Sequence, residues 1–184
     1  MKTPFDSAFY DNYFRHDEKY DVHYTKSRYY RLWIRAIGML EKIGSKRVVS
    51  LGCGTGQFEQ MLSEKGYDVV GVDFSGVAIN KAREKSNATF LCLDLIKDYE
   101  KYKDFITETV IILETLEHID DLALLDKLDK GLNIVFMVPS ADAVSHVRTF
   151  KNIDEVKERY KDTISIMHYE NHSDRFFLCM GVIK

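Results

Sequence analysis

Three ionisable side chains that could do chemistry stand together near the middle of the chain, at Glu114, Glu117 and His118. They follow the short apolar run 110–113, which predicts a buried strand. The ordinary pKa of histidine lies near neutrality, so His118 can act as a general base with the carboxyl of Glu117 beside it. The structural alternative is a turn in which His118 hydrogen-bonds backbone carbonyls. The pattern by itself leaves both interpretations open.

A second chemical feature is the segment 52–56, which has a glycine at every second position directly after the apolar run 48–51. Such a junction between a strand and a helix exposes backbone N–H groups where no Cβ obstructs a ligand. Asp73 follows Gly52 by 21 residues, a spacing that suits a carboxylate bound to the ribose hydroxyls of a nucleoside-like cofactor. The alternatives are a tight junction without a ligand and an aspartate that caps the helix after Ser75.

The elements that must position these residues alternate between strands and helices. This alternation predicts an α/β fold with a doubly wound, mostly parallel sheet. Two final strands, over 163–169 and 175–183, are joined by a polar turn and predict a C-terminal antiparallel β-hairpin, giving seven strands in all. Helices are expected over 26–43, 57–65, 75–86, 96–105, 120–130 and 152–160.

Length and composition limit the classes of protein that fit. The 184 residues show no linker or repeat, so we expect one domain over 1–184. A net charge of −3 gives no general attraction to nucleic acid or to an anionic membrane. The sequence has no apolar run near the ~20 residues that span a bilayer, and its three cysteines lack metal-binding spacing. We therefore expect a cytoplasmic protein with neither membrane nor nucleic-acid partners.

The N-terminal segment 1–44 combines a tyrosine-rich stretch with the first helix, and we expect it to form a lid over a ligand. Tyr20 and Tyr24 are its candidate substrate contacts. A loop over 140–151 supplies two more candidates, His146 and Arg148.

Four motifs in order connect these observations to a known family. LGCGTG, VVGVDFS, FLCLDL and VIILETLEHI, over residues 48–119, resemble the motif series of class I S-adenosylmethionine-dependent methyltransferases. The resemblance implies the Rossmann-like methyltransferase fold, S-adenosyl-L-methionine as cofactor and S-adenosyl-L-homocysteine as product. The cofactor contacts that it implies are Gly52, Cys53, Gly54, Gly56, Asp73, Phe74, Asp94, Leu95 and Glu114.

The resemblance also implies which part of the cofactor each of these residues contacts. The methionine part would lie against the backbone of the glycine segment, the ribose at Asp73 and the adenine between Phe74, Asp94 and Leu95. We expect methyl transfer to a small molecule, with oxygen as the acceptor atom. For a hydroxyl acceptor this reaction needs alignment and a base, and His118 with Glu117 are the candidate catalytic residues.

Three further functions are compatible with the same residues. The Glu-x-x-Glu-His spacing also resembles the metal-binding motif of small-RNA 2′-O-methyltransferases, in which Glu114, Glu117, His118 and His146 would be the ligands. The same pattern recurs in metal-free small-molecule methyltransferases, and the chain shows no obvious RNA-binding segment, so we expect no metal. A non-catalytic cofactor- or partner-binding module could also use this fold. So could an NAD-type oxidoreductase, which the lack of a second domain disfavours.

Overall fold

A computed structural model of the protein describes residues 3–172 and 175–184. Its strands are β1 Arg47–Leu51, β2 Asp68–Asp73, β3 Thr89–Cys92, β4 Thr109–Leu113, β5 Asn133–Pro139, β6 Ile164–His172 and β7 Phe176–Ile183. They form one sheet in the order β3-β2-β1-β4-β5-β7-β6. The first five strands pair in parallel, and β7 lies antiparallel between β5 and β6. The predicted fold class is confirmed, although part of the expected hairpin turn lies outside the described residues.

The helices cover both faces of this sheet. They are α1 Ser7–His16, α2 Tyr30–Ile43, α3 Gln57–Glu64, α4 Gly76–Lys85, α5 Asp121–Leu125 and α6 Ile153–Tyr160. On one face Trp33, Ile37 and Leu40 of α2 pack against Val48 and Ile111. The opposite face buries a second apolar cluster around β4 and β5. The strands are therefore buried on both sides, as their continuous apolar character predicts.

Three predicted helices are shorter than expected or differently wound. The segment predicted as a helix from residue 26 begins with a 3₁₀ turn, and α2 starts only at Tyr30. The connection 96–105 contains two 3₁₀ turns, Tyr99–Lys101 and Lys103–Phe105, and it buries Tyr99 and Tyr102. α5 ends at Leu125, and the chain beyond it pairs with the end of β7 through the bond from Gly131 N–H to the Ile183 carbonyl, 2.8 Å long.

The arrangement that positions the site is the common edge at which the parallel strands end, with α1 tied down beside it. Asp11 of α1 accepts hydrogen bonds from the Ser75 hydroxyl and the Val77 N–H, at 2.6 and 3.2 Å. The Lys81 ammonium of α4 donates to the Phe14 carbonyl at 2.6 Å. The N-terminal segment is therefore held against the first turns of α4. In the part of the chain that the structure describes, every helix is too short or too polar to cross a bilayer.

Candidate functional site

The strand ends and the N-terminal segment enclose a cavity of about 1170 Å³. A pocket for one small ligand typically measures about 300–1000 Å³, so this volume can hold a cofactor together with a second molecule. Many of the predicted site residues line it. They are Tyr20, Gly52, Cys53, Gly54, Asp73, Phe74, Asp94, Leu95, Glu114, His118 and His146.

The glycines of the turn after β1 are required by backbone conformation and by close packing. Gly52 and Gly56 have φ angles of +81° and +72°, in the left-handed region that side chains disfavour. A Cβ on Gly52 would lie 2.2 Å from the Thr115 hydroxyl oxygen, and one on Gly56 would lie 2.6 Å from the Ala82 Cβ. Gly56 thus packs against α4, whereas Gly52 lies at the cavity wall.

Four of the five N–H groups of this turn are bonded within the protein, which corrects the expectation that they are free for a ligand. Those of Gly52 and Cys53 donate to the Val72 carbonyl at 2.7 and 3.1 Å, and that of Gly56 donates to the Cys53 carbonyl at 3.1 Å. The Gly54 N–H donates to the Asp73 carboxylate at 2.9 Å. The turn therefore offers a ligand a surface without Cβ atoms, while its N–H donors hold its own shape.

Asp73 and Asp94, the two predicted cofactor carboxylates, stand at neighbouring strand ends. Asp73 is 7% exposed, and its two oxygens accept the N–H groups of Gly54 and Ser75 separately, each at 2.9 Å. Burial raises the pKa of Asp73 against the opposing effect of these bonds. One oxygen of Asp94 accepts N–H groups from Ile96 and Lys97, both at 2.9 Å. Partial burial raises the pKa of Asp94, but these N–H groups outweigh it and hold the pKa below its ordinary value.

The 3₁₀ turn after β4 presents His118 in one defined protonation state. Its Nδ1 lies 2.9 Å from the Ser145 carbonyl, which can only accept a hydrogen bond, so the proton is on Nδ1 and the lone pair is on Nε2. Burial lowers the pKa of His118 to about 4, with neighbouring His146 and Arg148 contributing in the same direction. The ring is therefore neutral at pH 7, and it faces the cavity.

Glu117 lies beneath this histidine, fully buried. Its Oε1 is 3.6 Å from the Nε2 of His118, and neither carboxyl oxygen has a hydrogen-bond partner among the described residues. Burial, together with nearby Glu114, raises its pKa well above the ordinary range. A buried carboxyl group without partners is costly, so this site favours either a proton or a cation at Glu117.

A divalent cation fits the donor set that Glu117 forms with the two histidines. One donor atom each from Glu117, His118 and His146 lie within 4.8 Å of one another. His146 also places Nδ1 3.0 Å from a carbonyl, that of Ala141, so both imidazoles present Nε2 as the acceptor. Two imidazoles and a carboxylate are a common set for transition metals. The absence of a metal thus stays a prediction, and Glu114 lies outside this group of three.

Glu114 occupies a strained position at the end of β4. Its φ angle of +56° is rare for a residue other than glycine, and such strain is often found at ligand sites. Burial raises its pKa to about 8, although Arg28 and Tyr29 act in the opposite direction. Its carboxyl group therefore faces the N-terminal wall of the cavity.

Sequence reasoning missed Tyr10 of α1, which reaches the centre of the site. Its ring centroid lies 5.4 Å from that of Phe74 and 5.8 Å from that of His118. Phe14, four residues after Tyr10, lies against Gly54: a Cβ added to that glycine would be 3.5 Å from the Phe14 ring. The helical spacing of these two aromatics was the available signal, but their target depends on how α1 folds over the sheet.

Two predicted substrate contacts lie elsewhere. The Tyr24 hydroxyl donates to Glu64 on α3 at 2.6 Å. Arg148 donates to the carbonyls of Leu116 and Ile119 and pairs with the Asp121 carboxylate at 3.2 Å, so it braces the turn that carries His118. Its role in this structure is to position that turn.

Comparison with known proteins agrees with this geometry. A family model described as a methyltransferase domain matches residues 22–176. The ubiquinone biosynthesis O-methyltransferase of Bradyrhizobium diazoefficiens is 28% identical over 103 residues, which cover 54% of this chain and 40% of that protein. The match therefore spans less than half the length of that curated relative.

Solved structures share the fold at low sequence identity. The PH0226 protein of Pyrococcus horikoshii OT3 has a TM-score of 0.73 at 20% identity, with 94% of this chain and 99% of that one covered. Magnesium protoporphyrin IX methyltransferase of Synechocystis PCC 6803, crystallised with S-adenosylmethionine, has a TM-score of 0.67 at 16% identity, with both chains fully covered. Since the methyltransferase-domain model covers most of its residues, the chain belongs to the S-adenosylmethionine-dependent methyltransferase family.

Proposed function

We propose that this protein transfers the methyl group of S-adenosyl-L-methionine to a hydroxyl oxygen of a small molecule. The observation that carries the proposal is the fixed state of His118, whose Nε2 lone pair is presented to the cavity by the bond from Nδ1–H to Ser145. The cavity volume of about 1170 Å³ accommodates an acceptor beside the cofactor. The curated relative is named as an O-methyltransferase, which also favours oxygen.

The residues at the strand ends fit this cofactor. The turn at Gly52 allows close approach, and Asp73 and Asp94 keep acceptor capacity beyond the N–H groups that they bind. Phe74 and Leu95 add apolar surface for an adenine ring. When bound, the cofactor supplies an electrophilic methyl group on a sulfonium.

His118 then takes the proton of the acceptor hydroxyl at Nε2. Because its site disfavours the imidazolium, the matching acceptor is a hydroxyl that is itself acidic, such as a phenol. The carboxyl group of Glu117 lies 3.6 Å from Nε2. Burial favours its protonated form, so it stabilises the positive charge that develops on the ring only when it is itself ionised. Tyr10 and Phe14 close the cavity from above and exclude water during transfer.

A methylation assay tests this proposal. The purified protein is incubated with S-adenosyl-L-methionine carrying a labelled methyl group and a panel of small phenols, alcohols and amines. We expect label on a phenolic oxygen, and a 10²- to 10⁴-fold lower kcat in His118→Ala with unchanged affinity for S-adenosyl-L-homocysteine. His168→Ala on β6, away from the cavity, is the matched control and should retain both properties. Transfer to nitrogen alone, or binding of NAD in place of S-adenosyl-L-homocysteine, would contradict the proposal.

A metal-dependent transfer, such as RNA 2′-O-methylation, is the second candidate because of the Glu117, His118 and His146 group. The same assay, repeated after chelator dialysis and with Mn²⁺ or Mg²⁺ restored, separates the two. We expect no dependence on the ion and no label on a short RNA. One tightly bound ion per chain, lost in His146→Ala together with activity, would favour the second candidate. Cofactor binding without turnover of any acceptor would instead indicate a non-catalytic module.

A further inference from the structure

Glu59, in the first turn of α3, is a buried carboxyl group that the proposed reaction leaves unused. Its side chain is 1% exposed, and it lines the inner end of the cavity with Ser50, behind the glycine turn. Within the described residues, its Oε2 atom has no hydrogen-bond partner. An unpaired carboxyl oxygen at this depth favours either a proton or a positively charged donor from the cavity.

Contacts within the protein account for only one oxygen of the Glu59 carboxyl group. The Ser50 hydroxyl donates to the Glu59 carboxylate, and the backbone N–H of Glu59 itself also hydrogen-bonds it. A carboxylate at this position also stabilises the start of a helix. None of these contacts reaches Oε2, so a structural role leaves that oxygen unexplained.

The surroundings of Glu59 favour a positively charged hydrogen-bond donor for its unpaired oxygen. The N–H groups at Gly52, Cys53, Gly54 and Gly56 are all bonded within the protein, so these four offer no donor to an anion there. The charge of Lys85 acts on Glu59, but its ammonium donates to the carbonyls of Tyr20 and Thr55, at 2.6 and 3.1 Å. With Asp73 also close, this end of the cavity favours positive charge.

We propose that Glu59 binds the α-ammonium group of S-adenosyl-L-methionine, with Ser50 holding the carboxylate in orientation. The proposal rests on the cofactor of the proposed function, whichever acceptor is methylated. It assigns the methionine end of the cofactor to the α3 side of the cavity. Glu114, the carboxyl group that the family resemblance assigned to the cofactor, lies directly after β4, beside Tyr29.

Two ligands that differ in the amino-acid group test this assignment by calorimetry. S-adenosyl-L-homocysteine carries the ammonium, and 5′-methylthioadenosine has the same nucleoside and thioether without it. In Glu59→Gln the amide oxygen can still accept from Ser50, so packing is kept while the charge is lost. We expect the Kd of S-adenosyl-L-homocysteine to rise about 10- to 100-fold and that of 5′-methylthioadenosine to change less than threefold.

Glu114→Gln is the matched control, because it removes another carboxyl group that lines the same cavity. Equal weakening of both ligands in Glu59→Gln, or a selective loss only in Glu114→Gln, would overturn the assignment. If the wild-type protein binds neither compound, the cofactor itself is wrong and the proposed function fails with it. Should Glu59→Gln not fold, Ser50→Ala leaves the carboxylate in place without its hydroxyl partner, and a selective loss for S-adenosyl-L-homocysteine is still expected.

Discussion

Replacement of Asp73 by asparagine should destabilise the protein before any ligand is added. Asp73 uses a separate oxygen for each of two backbone donors, Gly54 and Ser75, both at 2.9 Å. An asparagine can satisfy one of them and must turn its own NH₂ group towards the other. The N–H groups of Gly54 and Ser75 would then have one acceptor oxygen between them, where they now have two.

The magnitude follows from the burial of this carboxylate, which is 7% exposed. A hydrogen bond to a charged group contributes about 1.5–3 kcal/mol, and leaving a buried donor unpaired adds to the loss. We therefore expect Asp73→Asn to lower the free energy of unfolding by roughly 2–4 kcal/mol. In a chain of this length, that corresponds to a fall in Tm of about 5–15 °C.

Asp94→Asn is the matched control, because one oxygen of Asp94 accepts both of its N–H groups. Asparagine keeps that oxygen and loses only the exposed pair with Lys97, at 3.4 Å. The free energy of unfolding without ligand should therefore fall by less than about 1 kcal/mol. A Tm for Asp73→Asn within 2 °C (roughly 0.5–1 kcal/mol) of the wild type, or a larger fall in Asp94→Asn, would refute the argument.

Two other predictions follow from contacts away from the strand ends. Asp11 and Lys81 already tie the N-terminal segment to α4, and a ligand beneath the segment should add contacts to it. Amides 8–25 should therefore exchange more slowly with S-adenosyl-L-homocysteine bound, and equal protection in both states would show fixed packing. Arg35 holds Glu170 through two hydrogen bonds of 2.6 and 2.7 Å, which bring the pKa of that carboxyl to about 2. The resulting stability is present above pH ~4.5 and is lost as the pH falls towards 2. Chemical denaturation should therefore find Arg35→Met less stable than the wild type at pH 7, with the difference closing in acid. A difference that does not depend on pH would contradict this reasoning.

Local patterns in the sequence were sufficient to predict the sheet and the edge at which its parallel strands end. The apolar run 48–51 and the glycines after it predict a strand, a turn and a helix because each depends on residues close in the chain. The capping residues Ser75 and Asn152 begin α4 and α6 as their side chains predict. The alternation of such units then limits the topology to a doubly wound sheet.

The fine structure of the site depended on contacts between distant residues. Tyr10 reaches His118 because α1 is tied to α4, and Arg148 turned out to brace the turn beside that histidine. The N–H groups of the glycine turn are consumed by the Val72 carbonyl and by Asp73, on the neighbouring strand. Pairing across strands is not visible in any local window of sequence.

The sequence by itself determined the fold class and the family, since periodicity and motif spacing are local properties of the chain. Tertiary structure decided which carboxyl groups, among the described residues, keep a buried oxygen without a hydrogen-bond partner, namely Glu59, Glu114 and Glu117. It also decided the protonation state of His118, through a carbonyl 27 residues away. Burial and charge depend on everything packed around a group, and packing brings together residues whose separation along the chain carries no signal.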